Sequence, residues 1–275
     1  MPLMLNKYKK AAVISTGWLG DSIICTAAAA ALKEEKGFEV DFYTKWPQLK
    51  SILDFDSRFN TILYNKSLLS RTQLSLKLLK YDLVVREPEG WSYIDPYTIE
   101  IRKTAGCLPI SEFEIKAPFF NRDPSIKKNY LKVAISRDIY KKAYGRNIEA
   151  LLSILSNVYE LYWVGLDATK SSLFGKKNSQ QGRNNSLFKD AEIMLSCDFF
   201  FGPEGGLLYL AGGLGLRTAY LTEHIGHLKP FNKDGDCWKT IGNINLFPNG
   251  NHVALPPHCP NELVFEKISK EFPSQ

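Results

Sequence analysis

Two glycine-containing turns carry the residues of this 275-residue chain that are best suited to chemistry. The first turn, GWLGD at 17–21, directly follows an apolar run at 11–16 that predicts a buried strand. Its glycines let the backbone come close to a bound group, and Asp21 supplies a carboxylate able to take a proton from a hydroxyl. Capping of the helix predicted at 22–35 is the alternative role for Asp21, because Asp is a favoured N-cap residue.

The second turn, GPEGG at 202–206, lies between a predicted strand at 198–201 and a predicted helix at 205–214. A glycine-rich turn that leads into a helix presents backbone N–H groups to an anion such as a phosphate. A tight turn with close helix–sheet packing explains the same glycines, and the sequence leaves both interpretations open. Glu204 would repel a diphosphate, so we expect it to bond ribose hydroxyls or the N–H groups of the turn.

Short apolar runs alternate with helix-period segments on both sides of a polar, proline-containing stretch at 117–129. Alternating strands and helices predict parallel sheets covered on both faces. We therefore predict an α/β fold of two doubly wound, Rossmann-like domains facing across a cleft. The predicted domains are 1–125 and 126–275, with the last helix, at 262–272, a candidate for packing back on the N-terminal domain.

Composition limits the classes of function. With 44% hydrophobic and 23% charged residues the chain is typical of a globular protein, and its net charge of +6 is too diffuse to predict a nucleic-acid groove. The five scattered cysteines contain no CxxC pair, which disfavours a disulfide framework and a Cys-rich zinc module. With neither a signal peptide nor a membrane-spanning run in the sequence, we expect a cytoplasmic protein.

Metal and dinucleotide chemistry are weakly indicated. Two DxD runs, at 54–56 and 234–236, fall in predicted loops without the strand that a metal–nucleotide motif needs, and His224 and His227 lack a third ligand nearby. The first turn has the spacing GxxG rather than the GxGxxG of dinucleotide-binding turns, which disfavours NAD. We therefore expect no metal and no dinucleotide cofactor.

The two turns and their spacing resemble glycosyltransferase family 9, the ADP-heptose:lipopolysaccharide heptosyltransferases. That family shows GxLGD after its first strand and G-x-D-S/T-G-x-x-H-x-x-A-A-x-G at its nucleotide site. The segments VAISRD at 133–138 with Lys141, and YWVG at 162–165, resemble its phosphate-binding and base-binding segments. The chain departs from this pattern at four places. Glu204 stands where the family has Asp, Gly205 where it has Ser or Thr, and Tyr209 where it has His. In place of Lys-x-Trp-Pro it has KKAYG at 141–145, so either Lys141 or Lys142 could correspond to the family's lysine.

The resemblance implies a GT-B type fold and an inverting, metal-independent transfer of a heptose-like sugar. The donor would be an ADP-sugar or another NDP-sugar bound by the C-terminal domain, and the acceptor a glycan or lipopolysaccharide core bound by the N-terminal domain. Asp21 would be the general base. The acceptor-binding residues would be Gly17, Trp18, Leu19 and Gly20. The donor-binding residues would be Ser136, Lys141, Gly165, Glu204, Gly205, Gly206 and Tyr209.

A lipid-linked acceptor would suit peripheral contact of the mildly basic chain with anionic membrane headgroups. No nucleic-acid partner is expected. Two other functions remain open from the sequence. A catalytically degenerate homologue would bind the nucleotide sugar without turnover, as the departures at Gly205 and Tyr209 would allow. A nucleotide-dependent oxidoreductase would use the same architecture, although the missing GxGxxG disfavours it.

Overall fold

The computed structural model describes residues 9–65, 68–88, 97–109, 114–116, 131–141, 145–165, 186–222, 224–225, 229–230, 252–255 and 259–273. Its strands are β1 (Lys10–Ile14), β2 (Glu39–Thr44), β3 (Asn60–Leu63), β4 (Leu83–Arg86), β5 (Lys132–Ser136), β6 (Glu160–Val164), β7 (Phe199–Pro203), β8 (Arg217–Leu221), β9 (His224–Ile225), β10 (Lys229–Pro230) and β11 (His252–Leu255). Its α-helices are α1 (Leu19–Lys36), α2 (Pro47–Leu53), α3 (Leu68–Leu78), α4 (Tyr97–Thr104), α5 (Ile148–Ser156), α6 (Leu187–Leu195), α7 (Gly206–Gly213) and α8 (Asn261–Glu271). The predicted linker at 117–129, and with it the boundary between 125 and 126, lies outside these ranges.

The first sheet is parallel, with the described strands in the order β3-β2-β1-β4. Its central strand β1 is buried from Ala11 to Ile14, as expected for a strand covered on both faces. The chain moves outward from β1 to β2 and β3 and then returns to the other side of β1 with β4. The strand order therefore reverses between β1 and β4, and such a switch point is where open α/β sheets bind ligands.

The second sheet is also parallel, with the described strands in the order β11-β8-β7-β5-β6. Here the reversal lies between β5 and β7, since β6 pairs with one side of β5 and β7 with the other. The edge strand β11 was not predicted, because a four-residue run among prolines gives too short a pattern to distinguish a strand from a loop. The two sheets confirm the predicted α/β class with doubly wound parallel sheets.

Helices α1 and α7 pack against each other and join the two halves of the molecule. The alanine run of α1 at 27–31 is buried, and it belongs to the same apolar core as Leu208 and Ala211 of α7. Small side chains allow two helices to approach closely, and burial of the run keeps the contact free of water. Helix α1 ends at Gly37, whose φ of 69° is the left-handed conformation that glycine adopts without strain.

The remaining described elements support this arrangement. Helix α8 packs on α5 and contributes Val264 and Ile268 to the core on the outer face of the second sheet. Cys25, Cys107, Cys197 and Cys259, the cysteines within the described ranges, are all buried. No helix in the described part of the chain is long and apolar enough to cross a membrane.

The buried pair His252 and Thr218 makes the stability of the second sheet depend on pH. The two residues face each other across β11 and β8, with 2.8 Å between His252 Nδ1 and Thr218 Oγ1, and burial lowers the pKa of His252 from 6.5 to about 4. The unfolded chain therefore binds more protons than the folded one between these pH values, so stability falls as the pH is lowered through that window. We expect His252 to account for a loss of up to about 3 kcal/mol of unfolding free energy between pH 7 and pH 4.

His252→Asn provides the matched comparison, because an Asn side chain can still bond Thr218 but does not titrate. Urea unfolding of both proteins between pH 4 and 7 should show a steeper loss of stability in the wild type. Parallel curves for the two proteins would contradict the assignment to His252.

Candidate functional site

The two switch points face each other across a cavity of about 290 Å³. One wall comes from the turn after β1 and the start of α1, and the other from the ends of β5 and β7 and the start of α7. The lining residues are Trp18, Leu19, Gly20, Trp46, Ser136, Asp138, Pro203, Glu204, Gly205, Gly206 and Leu207. Residues 18–20 and 203–206 of the two predicted turns, far apart in sequence, thus come together at one site, whereas Gly17 and Asp21 lie outside the lining.

Two helix N-termini converge on this cavity. Helix α1 begins at Leu19 and α7 at Gly206, and the first residues of both line it. A Cβ on Gly206 would lie 3.2 Å from the Leu19 side chain and 3.3 Å from the Gly20 nitrogen, so a larger residue here would require these neighbours to shift. Each N-terminus carries unsatisfied N–H groups and a partial positive charge. The cavity is therefore suited to an anionic group.

Asp21 caps helix α1 from inside its first turn rather than from the N-cap position. The helix begins three residues earlier than predicted, with Trp18 as the N-cap, and Asp21 Oδ2 accepts a hydrogen bond from the Trp18 backbone N–H at 2.8 Å. The capping interpretation is thus correct in kind and wrong in position. A carboxylate in the first turn also interacts favourably with the helix dipole. The role of Asp21 as a base stays a prediction.

Glu87, which the sequence analysis did not identify, holds the first turn in place. It directly follows β4, and its Oε2 accepts hydrogen bonds from the Ser15 hydroxyl and from the N–H groups of Thr16 and Gly17, each at 2.8 Å. Because the Ser15 hydroxyl donates its single proton to Glu87, Ser22 must be the donor in the 2.7 Å hydrogen bond between the Ser15 and Ser22 hydroxyls. An acidic residue after a strand was the available signal, but the sequence does not say that β4 lies beside β1.

The charges of Glu87 and Asp21 act on the same buried thiol. Burial raises the pKa of Cys25 well above its ordinary value, and the negative charges of Glu87 and Asp21 raise it further. The thiol therefore stays protonated, and Cys25 is not suited to act as a nucleophile.

Glu204 has side-chain partners rather than the N–H groups of its own turn. Its Oε2 accepts a hydrogen bond from the Thr222 hydroxyl at 2.7 Å, and its Oε1 accepts one from the Tyr209 hydroxyl at 3.4 Å. The ring of Tyr209 also reaches the first turn, because a Cβ on Gly20 would lie 3.0 Å from its Cδ2. Tyr209, which stands where the family pattern has His, thus connects Glu204 to the start of α1.

The other predicted donor-binding residues are not all in the lining. Ser136 is buried, lines the cavity and accepts a hydrogen bond from the Asp138 N–H at 3.3 Å. Lys141 lies outside the lining residues and pairs with Asp138 at 3.1 Å, while Lys142 is outside the described ranges. Gly165 also lies outside the lining, in the left-handed region with a φ of 104°, and a Cβ there would lie 2.9 Å from Leu207 Cδ1.

A second cavity, of about 550 Å³, adjoins the first and shares Trp46 with it. It lies beyond the carboxyl ends of β2 and β3 and is lined by Lys45, Trp46, Pro47, Leu63, Tyr64 and Asn65. Trp46 Nε1 donates to the Gly17 carbonyl at 3.3 Å, and Lys45 Nζ lies 5.0 Å from the Trp46 ring and 5.9 Å from the Trp18 ring. Trp18 is 79% exposed, so a broad aromatic surface borders the first turn.

The weaker metal candidates are explained by other contacts or lie beyond the described ranges. Asp56 of the DxD run at 54–56 is buried and makes a two-point ion pair with Arg58, at 2.8 and 2.6 Å. Across the described residues, no group of three or more His, Cys, Asp and Glu side chains could hold a metal ion. The run at 234–236 and His227 belong to segments that the structure does not describe.

No family model and no curated protein sequence matches this chain, whereas several solved structures do. The glycosyl transferase family 9 protein of Veillonella parvula DSM 2008 has a TM-score of 0.66 at 10% identity, over 96% of this chain and 97% of that one. The E. coli heptosyltransferase WaaC, solved with ADP, has a TM-score of 0.62 at 10% identity, over 95% and 99%. TibC, an iron-containing dodecameric glycosyltransferase of enterotoxigenic E. coli H10407, has a TM-score of 0.61 at 14% identity, over 84% and 65%.

At such low identities these likenesses show the fold. They confirm the GT-B type arrangement of two facing Rossmann-like sheets, and the resemblance to glycosyltransferase family 9 therefore holds at the level of the fold. The chain spans about 65% of the length of TibC, so that protein's activity is not transferred to this chain by the superposition.

Gly17 is the residue whose replacement should most directly disturb the first turn. A Cβ there would lie 2.1 Å from Glu87 Oε1 and 2.5 Å from Asp21 Oδ2, so both carboxylates would have to move. We expect Gly17→Ala to lower the unfolding free energy by about 1–3 kcal/mol, as overpacking does. Chemical unfolding measures this.

Gly37→Asn is the control: it replaces a glycine at a position where an added Cβ has space. A Cβ at Gly37 meets nothing within 4 Å, and Asn tolerates the left-handed conformation found there. A Gly17→Ala protein as stable as Gly37→Asn would show that the two carboxylates are not held as described.

Proposed function

We propose that this protein is a nucleotide-sugar-dependent glycosyltransferase. It would move a heptose-like sugar from an ADP-sugar or another NDP-sugar to a glycan or lipopolysaccharide-core acceptor, with inversion and without a metal ion. The observation that carries the proposal is the convergence of two helix N-termini and the buried Ser136 on one cavity at both switch points. Such a site would suit a diphosphate. Asp21 lies outside the lining but directly follows Gly20, which is part of it, and its carboxylate would reach an acceptor bound there.

The donor would lie against the second sheet. The N–H groups of Gly205 and Gly206 and the hydroxyl of Ser136 would bind the diphosphate, and Lys141 would reach it by exchanging Asp138 for a phosphate oxygen. Glu204, already fixed by Thr222, would bond the ribose hydroxyls. Gly165 would border the base. WaaC was solved with ADP and TibC with ADP-D-beta-D-heptose, which supports an ADP-linked donor.

The acceptor would lie on the side of the first sheet. Trp18 and Trp46 line the first cavity, and Trp46 also lines the second. Their rings present flat apolar surfaces on which the C–H faces of a sugar can stack. Gly17 and Gly20 keep the turn free of side chains at its closest approach to the neighbouring groups. Peripheral contact with anionic lipid headgroups is part of the proposal, supported by the net charge of +6.

In the transfer step, Asp21 would take the proton of the acceptor hydroxyl. The hydroxyl oxygen then forms a bond to the anomeric carbon while the bond from that carbon to the phosphate oxygen breaks on the opposite face. The electron pair of the broken bond leaves with the nucleoside diphosphate. Its added negative charge would be stabilised by the N-termini of α1 and α7 and by Ser136, which are in place before the reaction.

A binding protein without turnover is the second candidate, and Tyr209 favours it. Tyr209 stands where the family pattern has His, and its hydroxyl donates to Glu204 while its ring packs on Gly20, so it is held by contacts within the protein and would not replace that His in turnover. Measurement of both binding and transfer separates the two candidates.

ADP should stabilise the protein against heat, because it binds only the folded state. At about 100 times its Kd, a ligand adds about 2.7 kcal/mol, which corresponds to several degrees in Tm. Gly206→Val should lose this shift, since its methyl groups would separate the start of α7 from Leu19 and Gly20. Thermal unfolding with ADP, UDP and NAD tests this, and stabilisation by NAD alone would favour an oxidoreductase instead.

Asp21→Asn tests the catalytic role with the local structure nearly unchanged. The amide oxygen of Asn can still accept the hydrogen bond from the Trp18 N–H, so Tm and ADP affinity should change little. Transfer, or donor hydrolysis in the absence of the acceptor, should fall by about 10²–10⁴-fold. Asp54→Asn, at the exposed end of α2, is the matched control and should keep wild-type rates. Wild-type rates in Asp21→Asn would leave Asp21 as a helix cap only.

A further inference from the structure

Glu87 and Asp21 face each other across Gly17. A Cβ placed on Gly17 would lie 2.1 Å from Glu87 Oε1 and 2.5 Å from Asp21 Oδ2, so the sum of these distances limits the separation of the two oxygens to 4.6 Å. The two carboxylates come from different segments, one after β4 and one in the first turn of α1. They meet because β4 is the neighbour of β1 at the switch point.

Two like charges at this distance repel, and the surrounding groups offset the repulsion. The other oxygen of Glu87 accepts three hydrogen bonds, and Asp21 accepts one from Trp18 at the positive end of α1. The two oxygens of Glu87 differ in their surroundings: Oε2 accepts all three hydrogen bonds from the turn, whereas Oε1 lies on the side of Asp21. Cys25 lies close enough for both charges to act on it, which supports their joint placement.

The hydrogen bonds alone do not require a charge at position 87. The oxygen of a neutral amide could accept from Ser15, Thr16 and Gly17 equally well in geometry. What a glutamate adds is a negative charge next to Asp21, and a neighbouring negative charge favours transfer of a proton to a carboxylate. A base that must take a proton from a hydroxyl benefits from such a neighbour.

We propose that Glu87 is a positioning residue of the transfer reaction: it fixes the backbone at 15–17 and directs its second oxygen at Asp21, so that Asp21 is held in place and favoured as proton acceptor. This inference rests on the proposed function, in which Asp21 is the base. It assigns Glu87 no contact with donor or acceptor.

Glu87→Gln in the full chain tests the inference, with Glu39→Gln as the matched control. Glu39 is a half-exposed carboxylate at the start of β2, paired with Lys10 at 3.5 Å and remote from the cavity. In Glu87→Gln the amide oxygen can keep the three donors, and its NH₂ group then faces Asp21 and donates to it. The Trp18 amide resonance should therefore shift, because its acceptor Asp21 gains a further donor; Glu39→Gln should leave that resonance unchanged.

The second measurement is a double-mutant cycle on transfer. We expect Glu87→Gln to lower kcat on the order of 10–100-fold, the usual effect of misplacing a catalytic group, with the KM for the donor nearly unchanged. In the Asp21→Asn background the same substitution should change kcat by less than about threefold, since a residue that acts through Asp21 has nothing left to act on. A purely structural role would instead lower Tm and donor affinity and would add to the effect of Asp21→Asn.

The outcomes separate this inference from the proposed function. An unmoved Trp18 amide, a wild-type kcat in Glu87→Gln or additive effects in the cycle would each overturn the role of Glu87. A shifted amide in a protein that transfers no sugar from any NDP-sugar would support the placement of Glu87 against Asp21 and would contradict the proposed function.

Discussion

The meeting of helices α1 and α7 at their N-terminal ends is the contact on which the rest of the site depends. Each helix starts at the switch point of its own sheet, so the contact brings both switch points to one cavity. It is possible because Gly20 and Gly206 leave no side chain between the helix ends. A Cβ on Gly20 would lie 3.0 Å from Tyr209 and one on Gly206 would lie 3.2 Å from Leu19, so a side chain at either position would require its neighbours to shift. The same residues therefore govern helix packing and site geometry.

The distribution of charge around the cavity follows from this geometry. Two helix N-termini directed at one space contribute partial positive charge there, and hydrogen-bond donors hold the acidic side chains nearby. Glu87 accepts hydrogen bonds from three donors, Asp21 accepts one from the Trp18 N–H, and Glu204 accepts two from hydroxyl groups. The acidic groups thus lie beside a cavity suited to an anion, a combination that would fit the proposed reaction, in which a proton is removed on one side while negative charge leaves on the other.

Much of the fold was predictable because local patterns and tertiary packing agree here. Helix α2 and strand β6 were predicted with the bounds that the structure shows, since proline begins the helix and a continuous apolar run forms the strand. Helix α1 begins three residues earlier than predicted, because Trp18, a poor N-cap by type, is replaced in that function by Asp21 from within the helix. The edge strand β11 was missed because its pairing with β8 is made by residues about thirty positions away.

By itself, the sequence determined the class of the fold, the two turns and the chemistry of their side chains, because glycine conformation, capping and apolar periodicity act over a few residues. Only the tertiary structure decided the strand orders, and with them which strand ends meet. Glu87 shows the difference: its carboxylate matters because β4 lies beside β1, a pairing made across about seventy residues of sequence. The same holds for Tyr209, whose contact with Gly20 joins residues that local interactions do not connect. Such contacts depend on how whole sheets and helices pack, and no local pattern encodes them.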